Sequence, residues 1–284
     1  MGLRRSDFAG SWYPDDETEC RKTIEEFSRD VSPCSDTPKG YLGGIVPHAG
    51  WVFSGRVAFN VIKCLKNGIK PDTIVIFGRH LHPGGANYLM KDGSWSTPLG
   101  ELKIDQDLGE RLSSEFRFRI ETASSYEQDN TIEVQLPFIK FLFPDVKILP
   151  LGLPPSMSSP SIGKRTAEIA LEMGRKILVL GSTDLTHYGY NYGFTPKGVG
   201  KAAVEWVKNE NDRKIVDLML DMNTEGIIEE SLINYNACCG GAVASAIACL
   251  KVLGANQGEK IIYTTSYDVR PDSSFVGYVG IVFS

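Results

Sequence analysis

The chain has 284 residues, 42% of them hydrophobic and 23% charged, with a net charge of −5 and a pI near 5.5. This is ordinary globular composition and excludes a disordered chain, while the acidic balance lacks the footprint of a nucleic-acid binder. The longest apolar runs, 242–250 and 260–263, are too short to span a bilayer. The N-terminus has two arginines but no apolar stretch after them, so it does not read as a signal peptide. Six cysteines at 20, 34, 64, 238, 239 and 249 form no secreted disulfide framework. The expectation is a cytoplasmic protein with no membrane or nucleic-acid partner. Cys20, Cys34, Cys64 and Cys249 read as small apolar fillers.

In chain order, a helix is predicted over Asp15–Asp30, then a strand over Gly43–Pro47 and a helix over Gly55–Leu65. A strand at Thr73–Phe77 precedes helices at Asp105–Ser114 and Thr131–Phe141. Strands at Val146–Leu151 and Lys176–Leu180 flank a helix at Ser161–Met173. Helices follow at Gly198–Lys208, Asp212–Asp221 and Gly240–Leu253, and strands at Lys260–Thr265 and Phe275–Phe283 close the chain. Asp105 and Ser161 suit the N-cap position, where a side-chain oxygen accepts from first-turn amides. Several strands are nearly continuous in Val, Ile and Leu, as strands covered on both faces should be. The alternation implies an α/β fold in three layers, a mostly parallel central sheet flanked by helices. The stretch Leu153–Ser161 is short enough for a surface loop, so residues 1–284 are expected to form a single domain.

The four histidines carry the strongest functional signal. His48 follows the Gly43–Pro47 strand, His80 and His82 follow Thr73–Phe77, and His187 follows Lys176–Leu180 through Ser182-Thr183-Asp184. In open α/β sheets ligands bind beyond the carboxyl ends of strands, and every histidine lies there. An extended His80-Leu81-His82 would place both imidazoles on one face. A helical turn at Asp184-x-x-His187 would stack carboxylate on imidazole, a pairing suited to a general base. Cys239, in Cys238-Cys239-Gly240-Gly241, opens the helix Gly240–Leu253, where first-turn amides favour a thiolate. Cys238 is its alternative. The two glycines would let a bound group approach the backbone closely. Any one of these residues alone is more often structural, and Asp129, Glu133 and Gln135 read equally as the solvated start of an amphipathic helix. Trp12 and Tyr13 read as core packing or as a lid. Imidazole with thiolate and carboxylate suits iron, copper or catalytic zinc rather than magnesium or calcium.

With these residues in view, the sequence resembles the Memo family, whose fold is similar to class III extradiol ring-cleaving dioxygenases. The matching segments are Phe8-Ala9-Gly10-Ser11-Trp12-Tyr13, Pro47-His48-Ala49-Gly50-Trp51, Ser54-Gly55, Thr131-Ile132-Glu133-Val134-Gln135-Leu136-Pro137, Ser182-Thr183-Asp184-Leu185-Thr186-His187, Cys239-Gly240, Asp272-Ser273-Ser274 and Gly277-Tyr278. The resemblance implies that His48, His82 and Cys239 take the places of metal ligands, with iron foremost and copper or zinc as alternatives. Asp184 and His187 would be catalytic. The chain departs from the family at Gly78-Arg79-His80-Leu81-His82, so His80 stands as an alternative to His82, and at Asn130, where the family tends to have His. A cysteine in place of the ring-cleaving enzymes' carboxylate argues against ordinary ring cleavage. The expected function is metal-dependent redox chemistry on oxygen or an unknown small molecule. The competing reading is a non-catalytic module binding a peptide in the same cleft. The family's association with a radical-SAM protein implies a third, a shared modification pathway.

Overall fold

The computed structural model describes residues 2–29, 34 and 40–284; the expected helix end at Asp30 lies outside them. Among the described residues, nine strands form the main sheet. They are β1 (Gly43–Val46), β2 (Thr73–Gly78), β3 (Tyr88–Met90), β4 (Arg119–Glu121) and β5 (Lys147–Gly152), then β6 (Ile177–Ser182), β7 (His187–Tyr188), β8 (Gly258–Thr265) and β9 (Phe275–Phe283). Their order is β7-β9-β1-β6-β2-β5-β3-β4, with β8 on β9. The centre, β1-β6-β2-β5, is parallel. All four strands are apolar and almost wholly buried, as crossover helices on both faces require.

The expectation of a mostly parallel sheet needs correction. β9 runs antiparallel to β1, β7 and β8, and β3 runs antiparallel to β5. The sheet is mixed in part because β8 and β9, joined only through the short helix Ser266–Val269 and a loop, pair antiparallel, whereas a parallel neighbour needs a longer crossover. A separate small sheet of Leu3–Arg4, Ser94–Thr97 and Gly100–Lys103 was not legible, its strands being too short to show a period.

Apolar side chains collect in two large clusters, one on each face of the central sheet. Alternate residues of β2 and β6 divide between them: Val75, Phe77, Ile177 and Val179 join one, Ile74, Ile76, Leu178 and Leu180 the other. Helices Ser159–Glu172 and Gly240–Val252 belong to the first face, Glu17–Arg29 and Trp51–Cys64 to the second. Asp105 caps Gln106–Glu115 as expected, accepting from the Leu108 amide. Ser161 does not cap: its helix begins two residues earlier, where Pro160 fits the first turn without needing an amide hydrogen. The predicted helix Thr131–Phe141 is two, Asn130–Glu133 and Leu136–Leu142. Cys34 and Cys64 are not fillers; they form a disulfide. No helix among the described residues is long and apolar enough to cross a membrane.

Asp212, fully buried, pins the loop after β6 to the sheet. Its Oδ1 accepts from the Thr186 amide at 3.0 Å and from the Thr186 hydroxyl, and its Oδ2 from the Tyr263 hydroxyl at 2.8 Å. Burial pushes this carboxyl up to about 7, against the pull of its three donors. A raised folded pKa stabilises the fold fully below the unfolded carboxyl's pKa and loses that contribution as pH rises through about 7. The wild-type protein should therefore lose roughly 4 kcal/mol of this contribution between pH 4 and pH 8. Asp212→Asn keeps the shape, offering an oxygen to Thr186 and an amide to Tyr263. Urea melts across that range should show a flatter profile for the variant and higher stability than wild type at pH 8.

Candidate metal centre

β1, β6 and β2 are parallel neighbours, so the loops at their carboxyl ends emerge side by side. His48 leaves β1, His80 leaves β2, Asp184 leaves β6, and Cys238-Cys239 precede the helix Gly240–Val252 that packs on the sheet. His48, His80, Cys238 and Cys239 offer ligand atoms that all lie within 4.8 Å of one another. The His48 Nε2 is 3.1 Å from the His80 Nε2 and 3.3 Å from the Cys238 sulfur, and the two sulfurs are 3.7 Å apart.

The imidazole that meets His48 is His80, in the place expected of His82. Arg79 is the reason. Its φ of +80° ends the strand, so the alternation that would have put both imidazoles on one face stops there. The unfavourable left-handed backbone is held by the Arg79 amide donating to Thr131 Oγ1 at 2.7 Å and the guanidinium paired with Glu121 at 2.8 Å and Glu127 at 2.9 Å. Tyr88 lies 3.8 Å beneath the guanidinium. His82 instead begins a turn, accepting from the Gly85 amide, and borders a different cavity. Both cysteines enter the cluster where one was expected, because the chain turns into the helix between them.

The short helix Asn130–Glu133 and the residues beside it orient both imidazoles. Asn130 donates to the His48 carbonyl at 3.1 Å, and Gln135 donates to the Pro47 carbonyl at 2.7 Å. The Ser182 hydroxyl donates to the Thr131 carbonyl at 2.7 Å, so its single proton is committed. Its oxygen, 2.9 Å from His48 Nδ1, must then accept from that nitrogen. The neutral His48 ring therefore carries its proton on Nδ1 and aims the Nε2 lone pair into the cluster. Thr131 also anchors Arg79, as described, and donates to Asp129 at 2.6 Å. Glu133 accepts from the amides of Asp7 and Phe8 and from the Tyr13 hydroxyl at 2.9 Å, holding the N-terminal motif in place. Asp129, Glu133 and Gln135 are thus buried supports, not a solvated helix start. Ser182→Ala removes the acceptor that fixes the His48 tautomer. Metal affinity is expected to fall roughly 10- to 100-fold with the urea midpoint little changed, checked by chelator competition.

Burial disfavours a charged His48, but the Asp184 carboxylate and the Cys238 thiolate outweigh it and push the imidazole up to about 9. Burial raises the Cys238 thiol too, yet Cys239 and His48 bring it well below the usual thiol range. Cys239 goes the other way, raised by burial and by the charge of Cys238. These shifts favour an imidazolium at His48 beside a thiolate at Cys238, with Cys239 kept as the thiol. A cation would take the place of the His48 proton. The separations lie near those a cation would set: metal–nitrogen bonds of about 2.0–2.1 Å and metal–sulfur bonds near 2.3 Å put tetrahedral ligand atoms roughly 3.3–3.8 Å apart, so the wider pairs, up to 4.8 Å, would draw in on binding.

Asp184 is buried beside the cluster and raised above the carboxylate range by burial and Cys238, with His48 and His187 opposing. Its Oδ1 accepts from the His48 amide at 2.7 Å. Residues 183–186 form no helical turn, so the expected stacking of Asp184 on His187 is absent. His187 lies in β7 with its ring edge against Tyr192 at 4.9 Å. Asp184, His187, His48 and His80 all border an open cavity of about 1130 Å³, which Trp12 and Tyr13 also line. Tyr13 is buried and Trp12 partly exposed, so the first packs and the second rims. A smaller cavity of about 660 Å³ reaches Cys238 from the other side, past Leu81, Phe194 and Tyr235. His187 and Tyr192 border both cavities. Of the paired glycines, Gly240 lines the smaller cavity, and both are needed for close packing. They meet protein, Gly241 abutting the Pro154 backbone.

The model of the family described as Memo-like protein matches residues 4–282. A MEMO1 family protein of Pyrococcus furiosus is 36% identical over 99% of this chain and 98% of its own length. One from Pyrococcus abyssi is 34% identical over 99% of both, and one from Methanopyrus kandleri 33% identical over 97% of this chain and 96% of its own. Among solved structures, an uncharacterized protein of Escherichia coli K12, JW3007, aligns with a TM-score of 0.51 over 85% of this chain and 99% of its own. At 11% identity it shares the fold alone. With matches of this extent, the chain belongs to the Memo-like protein family.

Proposed function

We propose that this protein is a metal-dependent redox protein that binds copper or iron through His48, His80, Cys238 and Cys239 and acts on a small molecule in the adjoining cavity. The observation that carries this reading is the convergence of two imidazoles and two sulfurs within 4.8 Å at the wall of a large open cavity. Thiolates select soft ions, which favours Cu⁺ over the iron first expected, with Zn²⁺ as the non-redox competitor for the same two-nitrogen, two-sulfur set. When bound, the metal would supply electron transfer or activation of an oxygen species. The second sulfur sets the donor set further from the two-histidine, one-carboxylate pattern of extradiol enzymes and is the reason ring cleavage is not proposed.

The chain's own residues then have separate tasks. Asp184, raised by burial, can hold a proton close to the cluster, and His187, half-buried between the cavities, can move one at the ring nitrogen it presents. Arg270 lines the larger cavity and can orient an anionic group on a substrate.

Protein purified anaerobically is expected to carry about one copper or iron per chain by mass-spectrometric metal analysis, lost on His48→Ala. Zinc alone would end the redox reading while leaving the metal centre. No stoichiometric metal, together with no uptake from added Cu⁺, Fe²⁺ or Zn²⁺, would end both.

A further inference from the structure

The opposite edge of the sheet also carries a cavity. At the amino ends of β2, β5 and β6, opposite the metal cluster, lies a cavity of about 550 Å³ that shares no lining residue with the other two described. Ile69, Phe143 and Val146 supply apolar wall, and Lys66, Lys70, Lys147 and Arg175 supply four cations. Asp72 and Asp145 are the carboxylates of the lining. Asp72 is occupied, its Oδ2 accepting from the Lys176 amide at 2.8 Å.

The cations are not equivalent. Arg175 is committed to Asp107 at 2.8 Å, and Lys147 lies 4.0 Å from Asp105. Lys66 and Lys70 make no ion pair among the described residues, and both are exposed. Solitary surface lysines are ordinary. Two unpaired ones at the mouth of an apolar cavity, on a chain of net charge −5, are a different matter. Ligand sites combine an apolar wall with a few convergent polar groups in a volume of roughly 300–1,000 Å³.

We propose that this cavity binds a small amphiphilic anion, its apolar body against Ile69, Phe143 and Val146 and its carboxylate, phosphate or sulfate head between Lys66 and Lys70. The inference does not depend on the metal centre, and no metal is needed to test it.

The probe is 1-anilinonaphthalene-8-sulfonate, followed by fluorescence, with uncharged N-phenyl-1-naphthylamine as its control. Wild-type protein should bind one sulfonate probe per chain, displaced by decanoate. Lys66→Glu combined with Lys70→Glu should weaken sulfonate binding by tenfold or more at low salt and leave the neutral probe unchanged. Both positions are exposed, so the fold should survive the exchange. Tyr235→Glu, which sets a carboxylate at the rim of the apolar cavity beside Cys238, should change nothing. Equal sulfonate affinity in wild type and the double variant would overturn the proposal, as would loss of binding in the Tyr235 variant. Co-sedimentation with phosphatidylglycerol vesicles that the double variant loses, without displacement of the probe by decanoate, would assign the lysines to a lipid surface and also overturn it.

Discussion

His80→Ala is expected to weaken metal binding on the order of a thousandfold, while His82→Ala leaves it within about twofold. The two residues are one position apart in the repeat of an extended chain, and nothing in their composition separates them. Their positions in the fold do. The His80 Nε2 stands 3.1 Å from the His48 Nε2, within the group that includes both cysteine sulfurs. His82 begins the turn that follows, its carbonyl accepting from the Gly85 amide, and it offers no ligand atom to the cluster. Removing His80 leaves three donors. Removing His82 takes away an exposed side chain at the border of the smaller cavity. Titration of the metal-free variants with Co²⁺ reads this directly, since thiolate coordination gives an intense near-ultraviolet charge-transfer band and tetrahedral geometry gives visible bands. Equal losses in the two variants would show that the backbone at Arg79 does not hold His80 where the cluster needs it.

Gly241→Ala should be among the most destabilising single substitutions in the chain, costing about 3 kcal/mol or more. A methyl group there would lie 2.0 Å from the Pro154 carbonyl oxygen, 2.2 Å from its carbon and 2.6 Å from the Pro155 nitrogen. These are backbone atoms, so no side chain can swing aside. The clash would push the helix Gly240–Val252 away from the segment leading into Ser159–Glu172, and these helices share an apolar core with β2 and β6. Gly84→Ala is the control, since a methyl group there meets nothing within 4 Å. Urea denaturation should show a large shift of the midpoint for the first and almost none for the second. Cys238 and Cys239 sit immediately before the displaced turn, so metal affinity should fall with stability. A Gly241 variant as stable as wild type would mean that the two segments can separate at little cost.

Much of the site was legible because α/β sheets gather the ends of their parallel strands. His48, Asp184 and the histidines after Thr73–Phe77 could be placed on one edge from hydrophobic runs alone. Cys239 followed from its position before an apolar helix, with Cys238 only as its alternative. Asn130, Thr131, Glu133 and Gln135 were harder, since an amphipathic start and a buried scaffold have similar composition. A signal was present in retrospect: polar residues at alternate positions directly before Leu136-Pro137, with no charged residue from Val134 to Ile139 to mark a solvated face. Ser182 gave no signal, because its part depends on a proton committed to a carbonyl 51 residues away.

The local order of side chains by itself determined the central strands, most of the helices and the edge on which the chemistry gathers. Each of those follows from periodicity and near-neighbour spacing, which a linear chain already contains. Only the tertiary structure decided that His80 and not His82 faces His48, that both sulfurs join the cluster, that Cys34 and Cys64 are bonded, and that β9 reverses the sheet's direction. Those outcomes turn on one left-handed residue and on partners tens to hundreds of positions apart, whose meeting depends on the balance of packing and pairing across the whole fold.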